Sequence, residues 1–156
     1  MKPDKFRLWM TAPEASTTAV GPVLFFDGEC GLCTRFVRML LKLDREGMHG
    51  LRFAPLQGTT AQAYLRRHGL PTEDFATLVF ASDWPRSAAA PALRTDGAIA
   101  SLRAIGQPGW ATLVSLFPRG VRDALYRMVA RNRLRLFPSG PVNPAADARN
   151  ARRFLP

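Results

Sequence analysis

Both cysteines of this 156-residue chain lie in one short motif, Cys30-Gly-Leu-Cys33. The motif follows residues 22–27, "PVLFFD", an apolar run with the length and composition of a strand buried on both faces. From Gly31 onward, apolar residues recur every three to four positions, which predicts an amphipathic helix ending near Gly47. The sequence therefore predicts that both thiols lie where a buried strand meets the start of a helix.

A helix start favours redox chemistry for such a pair. Unpaired backbone N–H groups and the positive end of the helix dipole stabilise a thiolate at Cys30, so its pKa is expected to fall below the roughly 8.5 of a free thiol. Cys33 lies one turn further on the same side of the helix. Gly31 removes side-chain bulk between the two, and Leu32 offers a substrate an apolar contact. The pattern fits two-step thiol–disulfide exchange, in which Cys30 attacks a disulfide and Cys33 resolves the mixed disulfide.

Asp27 precedes Cys30 by three residues, and two roles fit it. Its side chain can begin the Asp-Gly turn that ends the strand. Its carboxylate can also exchange a proton with Cys33 during resolution, and would then raise the pKa of a nearby Cys30 against the helix dipole. The sequence leaves both roles open.

Composition limits where the chain works and what the thiols bind. The N-terminal residues lack the apolar segment of a secretory signal, and no apolar stretch is long enough to predict a transmembrane helix. We therefore expect a cytoplasmic protein, a compartment in which thiols are kept reduced. Structural zinc takes four ligands, whereas the chain offers two cysteines and the separated His49 and His68. The sequence predicts no metal and no other cofactor.

The chain is strongly basic, with 22 Lys and Arg against 12 Asp and Glu and a net charge of +10. Such a charge is compatible with an anionic partner, such as nucleic acid, an acidic membrane surface or an acidic protein. The favoured interpretation is a solvated basic surface that includes Arg131, Arg133 and Arg135. Nucleic acid is not expected as a partner.

The rest of the chain alternates the periods of strands and helices. The predicted elements are, in order, a strand, a helix, a strand, a helix, a strand, a short edge strand and three helices. The predicted strands cover residues 22–27, 51–56, 75–81 and 92–95, with a loop at 82–92. The predicted helices cover residues 31–47 and 59–69, a third that follows its cap and runs to about 106, then 109–117 and 118–137. This order predicts an α/β fold, a thioredoxin-like small mixed sheet flanked by helices, with additional C-terminal helices.

The chain length suits a single core, which we place at residues 21–137. Residues 1–20 are expected to form a flexible N-terminal arm, and residues 138–156 a Pro/Ala-rich tail that lies across the surface or is mobile. Within the domain, Thr95 or Asp96 is predicted to cap the third helix.

The same residues carry a family resemblance. The stretch "DGECGLC" resembles the D-x-x-C-x-x-C signature of the DCC family of thiol–disulfide oxidoreductases, and "FAPLQG", "GLPTED", "PGW" and "RDALYRMVARNRLRLF" are similar to its other recurrent segments in the same order. The resemblance spans residues 22–137. It implies a thioredoxin-like fold and protein-disulfide reductase activity towards a disulfide-containing protein or a small-molecule thiol or disulfide.

The resemblance also points to substrate-binding candidates. Thioredoxins place a cis-proline just before the strand that faces the cysteines, whereas this chain reads "FATLVF" there. Thr77 or Ala76 is then expected to supply the backbone contact to substrate. If Thr95 and Asp96 lie near Cys30, they are further candidates for holding the α-amino group or backbone of a glutathione-like thiol.

Two function classes follow from these observations. The leading hypothesis is a cytoplasmic thiol–disulfide oxidoreductase that uses Cys30 and Cys33. The alternative is a basic binding module in which the same cysteines form a redox switch or half of a metal site shared across a dimer.

Overall fold

A computed structural model describes residues 20–73, 77–86, 88–136 and 148–156. The strands of this part of the chain are β1 Gly21–Phe26, β2 Arg52–Pro55, β3 Val79–Trp84 and β4 Ala92–Leu93. Its helices are α1 Gly31–Leu43, α2 Thr59–Arg67, α3 Arg94–Ala104, α4 Pro108–Ser115, α5 Arg119–Leu136 and α6 Ala148–Ala151. None of the helices within these ranges combines the length and the apolar character needed to cross a bilayer.

The strands form one mixed sheet in the order β2-β1-β3-β4. β1 pairs in parallel with β2 and antiparallel with β3, and β3 pairs antiparallel with β4. β1 is therefore a central strand, and its residues from Val23 to Phe26 are fully buried, as its continuous apolar run predicts. The α/β class is confirmed, and the sheet is consistent with the predicted thioredoxin-like fold.

Alternate residues of β1 point to opposite faces of the sheet, and so supply two cores. Leu24 and Phe26 pack in a cluster with residues of α1, α3 and α4. Val23 and Phe25 pack in a second cluster with Tyr64 and Leu65 of α2. The helices thus cover the sheet from both sides, and the two cysteines belong to the first cluster.

The third strand differs from its predicted bounds. It begins at Val79 and continues to Trp84, although residues 82–84 are predicted as loop and residues 75 and 76 lie outside the described part of the chain. The polar residues Ser82 and Asp83 break the apolar pattern, so the sequence does not predict a strand there. The pairing with β1 extends the strand to this point, because Gly21 of β1 aligns with Trp84, and this tryptophan is buried.

The predicted cap of α3 is wrong. The helix begins at Arg94 after the extended residue Leu93, so Thr95 and Asp96 both lie inside its first turn. The backbone N–H of Arg94 donates instead to the carbonyl of Leu78 at 2.9 Å. The segment just before β3, rather than a cap from Thr95 or Asp96, therefore accepts the first N–H of α3.

The end of the chain does not lie loosely on the surface. Residues 137–147 fall outside the described ranges, but Phe154 and Leu155 are buried. The N–H of Phe53 donates to the carbonyl of Arg153, and the N–H of Leu155 donates to the carbonyl of Phe53, both at 2.8 Å. The last residues thus extend the sheet beside β2, and for them the predicted surface tail is wrong. The predicted arm at residues 1–20 lies outside the described residues except for Val20, and the division into arm, domain and tail stays a prediction.

Candidate active site

The cysteine pair lies at the start of α1, where the sequence predicts it. Cys30 is the extended residue that precedes the helix, and Cys33 lies in the first turn. The helix start is held by Thr34, whose N–H donates to the carbonyl of Cys30 and whose hydroxyl donates to the carbonyls of Cys30 and Gly31. Both cysteines are free thiols, and their exposed fractions are only 6% and 8%. A substrate must therefore reach the sulfurs through a defined opening.

The pKa values of the two thiols are shifted in opposite directions. A hydrogen bond from the Cys33 thiol, together with the backbone N–H groups of Cys33 and Leu32, lowers the pKa of Cys30 to about 6, against the opposing effects of burial and the Asp27 charge. The same hydrogen bond, burial and the negative charges of Cys30 and Asp27 raise the pKa of Cys33 far above its ordinary value. At neutral pH, Cys30 is therefore a thiolate and Cys33 a hydrogen-bond donor to it.

Asp27 forms the turn between β1 and the cysteines. Its Oδ1 accepts hydrogen bonds from the backbone N–H of Glu29 at 3.0 Å and from Nε2 of Gln57 at 2.7 Å. Its carbonyl accepts from the N–H of Cys30 at 3.2 Å. The side chain is buried, and its charge raises the pKa of both sulfurs. Asp27 is thus a turn residue that also lies close to the thiols, and its part in proton exchange stays a prediction.

A pocket of about 160 Å³ opens beside the sulfurs. It is formed where α1, the segment before β3 and α5 meet. Apart from the thiols, a hydroxyl and a phenol, its side chains are apolar; the lining residues are Cys30, Leu32, Cys33, Phe36, Thr77, Leu78, Tyr126 and Ala130. The pocket suits an apolar group adjacent to a reacting sulfur.

Two of the predicted substrate contacts, Leu32 and Thr77, line this pocket. The Thr77 hydroxyl accepts from the backbone N–H of Arg94 at 3.2 Å and donates to the carbonyl of Leu78 at 3.1 Å, so it is held in place. Thr77 thus lies across the pocket from the cysteines, in the segment where the thioredoxin comparison places a substrate contact. The other candidate there, Ala76, lies outside the described residues.

The remaining predicted contacts lie elsewhere. Gly31 begins α1 but is not among the residues lining the pocket. The Thr95 hydroxyl oxygen lies 3.5 Å from Oδ1 of Asp123 on α5. Asp96 forms ion pairs with Arg119 and Arg122 of the same helix, and hydrogen bonds from Arg119 lower the pKa of its carboxyl. Thr95 and Asp96 therefore attach α5 to α3, and their role in substrate binding stays a prediction.

The sequence reasoning missed Tyr126. Burial raises the pKa of this tyrosine well above its usual range, with a smaller contribution from the negative charge at Cys30, while hydrogen bonds with the Thr77 side chain and the Leu78 backbone oppose the rise. Tyr126 shares the inner side of α5 with Arg122 and Ala130, four residues away in each direction. That four-residue spacing, within the helix predicted at residues 118–137, was the signal available in the sequence.

Gln57 was also missed as a site residue, although it lies in the segment "FAPLQG". Its amide clamps the turn before the cysteines, since Nε2 donates to Asp27 and Oε1 accepts from the N–H of Gly28 at 3.2 Å. β1 and β2 are parallel neighbours in which Phe26 aligns with Pro55. Side chains that follow the two strands therefore meet at the same sheet edge, and this relationship becomes visible only once the strands are paired.

The described residues contain no group of three or more His, Cys, Asp or Glu side chains able to hold a metal ion. The site offers two thiols with widely different pKa values, a nearby carboxylate and an apolar pocket.

A C-x-x-C pair at the first helix of a thioredoxin-like sheet defines the class of thiol–disulfide oxidoreductases. The family described as DCC1-like thiol-disulfide oxidoreductase matches residues 24–139, and the chain belongs to this family. It is 34% identical over 136 residues to the uncharacterized protein YuxK of Bacillus subtilis (strain 168), an alignment covering 86% of this chain and 93% of that protein. It is 30% identical over 118 residues to a chloroplastic DCC family protein of Arabidopsis thaliana, covering 74% and 64%. No solved structure gives a significant match. The predicted family resemblance is confirmed.

Proposed function

We propose that this protein is a cytoplasmic dithiol–disulfide oxidoreductase of the protein-disulfide reductase type, which acts on a disulfide-containing protein or a small-molecule disulfide. The observation that best supports this function is the state of Cys30. Its sulfur carries a pKa lowered to about 6 by the Cys33 thiol and lies beside an apolar pocket. A thiolate at neutral pH with an apolar contact surface is what attack on a substrate disulfide requires.

The first step forms a mixed disulfide. The Cys30 thiolate attacks one sulfur of the substrate disulfide, a bond forms between Cys30 and that sulfur, and the substrate S–S bond breaks. The departing substrate sulfur leaves as a thiolate and takes up a proton. Leu32 and Phe36 provide the apolar wall against which a substrate side chain next to the disulfide packs, and Thr77 provides the polar contact across the pocket.

The second step releases the substrate. Cys33 loses its proton and attacks the Cys30 sulfur, so that the Cys30–Cys33 disulfide forms and the second substrate sulfur leaves as a thiolate. Two electrons have then passed from the protein to the substrate. The raised pKa of Cys33 makes proton removal the difficult part of this step, and the buried Asp27 carboxylate next to the pair is the base that we assign to it. A cellular thiol reductant restores the dithiol by the same exchange in reverse.

A trapping experiment tests the assignment of the two cysteines. Cys33→Ser keeps a hydrogen-bond donor beside Cys30 but removes the resolving thiol, so we expect mixed disulfides to accumulate on this variant in a cell lysate. Cys30→Ser is the matched control and should trap nothing. Purified wild type should reduce a soluble protein disulfide with a thiol reductant present, and both variants should lose this turnover. Equal trapping by both variants, or turnover that survives Cys30→Ser, would contradict the proposal.

A further inference from the structure

The side of α5 that faces away from the pocket carries a stripe of exposed apolar residues. Val121, Leu125 and Met128 follow one another at helical spacing, and Phe117 lies just before the helix begins at Arg119. These four side chains, which we call the outer stripe, have exposed fractions of 46–54%. Large apolar side chains in a row along one helix are not explained by the fold, since the inner side of α5 already supplies its packing.

The apolar surface continues along the chain into α4. Trp110, Leu113 and Leu116 are all more than half exposed. α4 and α5 both pack on α3, and the outer stripe begins at Phe117, directly after Leu116. Soluble monomers rarely leave so many large apolar groups in contact with water, and such concentrations mark a surface that binds something.

A row of positive charge accompanies the outer stripe. Arg127, Arg131 and Arg135 are exposed and follow one another at intervals of four residues. We call them the arginine row. At 100° per residue they lie along the outer stripe on the side away from the pocket-facing residues. The ion pairs found among the described residues engage other arginines, namely Arg119, Arg122 and Arg153.

We infer that the outer stripe and the arginine row form a surface that docks on an anionic lipid bilayer. Helices that lie in a membrane interface combine Trp, Phe and Leu on one side with Lys or Arg on the other, and the arginines bind anionic headgroups. A second copy of this chain is a poorer occupant. Symmetric pairing through the same face would bring two arginine rows together in a protein of net charge +10.

Docking through this surface would keep the redox site near the bilayer. Tyr126 and Ala130 lie on the opposite side of α5 and line the cysteine pocket. A helix is roughly 10–12 Å across with its side chains, so the thiols would work about one helix diameter from the headgroups. Disulfides held at a membrane surface would then be favoured over those in free solution. The docking surface itself does not depend on the proposed reductase activity.

Co-sedimentation of the full-length protein with lipid vesicles tests the inference. We expect binding at physiological salt to vesicles of mixed phosphatidylcholine and phosphatidylglycerol, and none to phosphatidylcholine alone. Arg131→Ala with Arg135→Ala should weaken binding roughly twenty-five-fold, because each arginine near an anionic surface contributes about a fivefold factor. Leu125→Asp with Met128→Asp should reduce binding at least tenfold.

Matched controls separate this surface from overall charge and overall apolarity. Arg66→Ala with Arg67→Ala removes the same charge from exposed positions of α2, on the other side of the sheet. Met48→Asp changes an apolar residue that is 76% exposed outside the surface. We expect Met48→Asp to bind like wild type, and the α2 pair to lose less than threefold. Circular dichroism verifies that each variant folds. If the Leu125→Asp and Met128→Asp pair does not fold, the Arg131→Ala and Arg135→Ala pair still tests the inference.

Three results would overturn the inference. The first is absence of binding to the anionic vesicles. The second is an equal loss in the α2 pair and in the arginine-row pair, which would mean that net charge alone attracts the protein. The third is a dimer, or a complex with an acidic polypeptide, that the Leu125→Asp and Met128→Asp pair abolishes while vesicle binding is unaffected.

Discussion

The side-chain amide of Gln57 donates a hydrogen bond of 2.7 Å to Oδ1 of Asp27, and so joins the loop after β2 to the turn that leads into the redox pair. The same amide accepts from the backbone N–H of Gly28. The residues that follow two parallel neighbouring strands thus meet here, and the Gln57 amide holds the carboxylate beside the sulfurs. This contact makes the position of Asp27 a property of the sheet and not only of its own turn.

Asp27→Asn should separate the two roles of this carboxylate. Its charge raises the pKa of both sulfurs, so the variant should show a Cys30 pKa below the wild-type value of about 6 and faster Cys30 alkylation at pH 5. Release of the mixed disulfide should slow at least tenfold if Asp27 takes the Cys33 proton. The measurements are an alkylation pH profile and stopped-flow kinetics of the mixed disulfide.

Gln57→Ala is the control for Asp27→Asn. It leaves the charge in place and removes a hydrogen bond to a buried carboxylate, which should cost about 1–3 kcal/mol of stability. If Asp27→Asn also lowers only the thermal stability, leaving the alkylation profile and the release rate unchanged, Asp27 is a turn residue and the proton-exchange role is wrong.

The reactivity of Cys30 should follow a low pKa that depends on Cys33. Alkylation of the reduced protein, followed by mass spectrometry, should label Cys30 first and reach half its maximal rate near pH 6, rather than near the roughly 8.5 of a free thiol. The thiolate is lost as the pH falls through this value. Cys33→Ala removes the main stabilising hydrogen bond, so its midpoint should rise, whereas Cys33→Ser should stay nearer to wild type. An unchanged midpoint in Cys33→Ala would refute this cause.

Tyr126 should control how large a reagent can reach Cys30. Its ring forms one wall of the pocket beside the sulfurs, so Tyr126→Ala should accelerate labelling by a bulky maleimide several-fold more than labelling by iodoacetamide. Tyr126→Phe keeps the wall and loses only the hydroxyl that interacts with Thr77 and Leu78; it should label like wild type with both reagents. An equal acceleration of both reagents by Tyr126→Ala would indicate general loosening instead of a widened pocket.

Arg153→Ala should destabilise the fold although it lies far along the chain from the site. The guanidinium donates to Oδ2 of Asp44 at 2.8 Å, to the carbonyl of Asp44 at 2.7 Å and to the carbonyl of Leu51 at 3.1 Å. Both side chains of the ion pair are largely buried, so removal of one partner should cost about 3 kcal/mol in chemical denaturation. The exposed neighbour Arg152 is the control, and Arg152→Ala should stay within about 0.5 kcal/mol of wild type. Equal losses in the two variants would show that the buried contacts of Arg153 add nothing.

The local sequence pattern alone predicted much of the fold and the position of the two thiols. The apolar run of β1 and the helical spacing after Gly31 placed the thiols at a strand-to-helix junction, and the alternation of periods predicted an α/β sheet. These features depend on residues close together in the chain, whose burial and backbone preferences can be read directly. The lowered pKa of Cys30 was predicted from the same local geometry. Its largest cause in the structure is the hydrogen bond from the Cys33 thiol, and the backbone N–H groups at the helix start contribute less.

Only the tertiary structure decided which distant residues share the site. Gln57 meets Asp27 because β2 pairs in parallel with β1, and Tyr126 reaches the pocket because α5 packs against α1 and α3. For the same reason Thr95 and Asp96 contact α5 and the chain end extends the sheet at β2. Such contacts depend on strand order, register and helix packing. These are set by the free energy of burying the whole core, and no short stretch of sequence contains them.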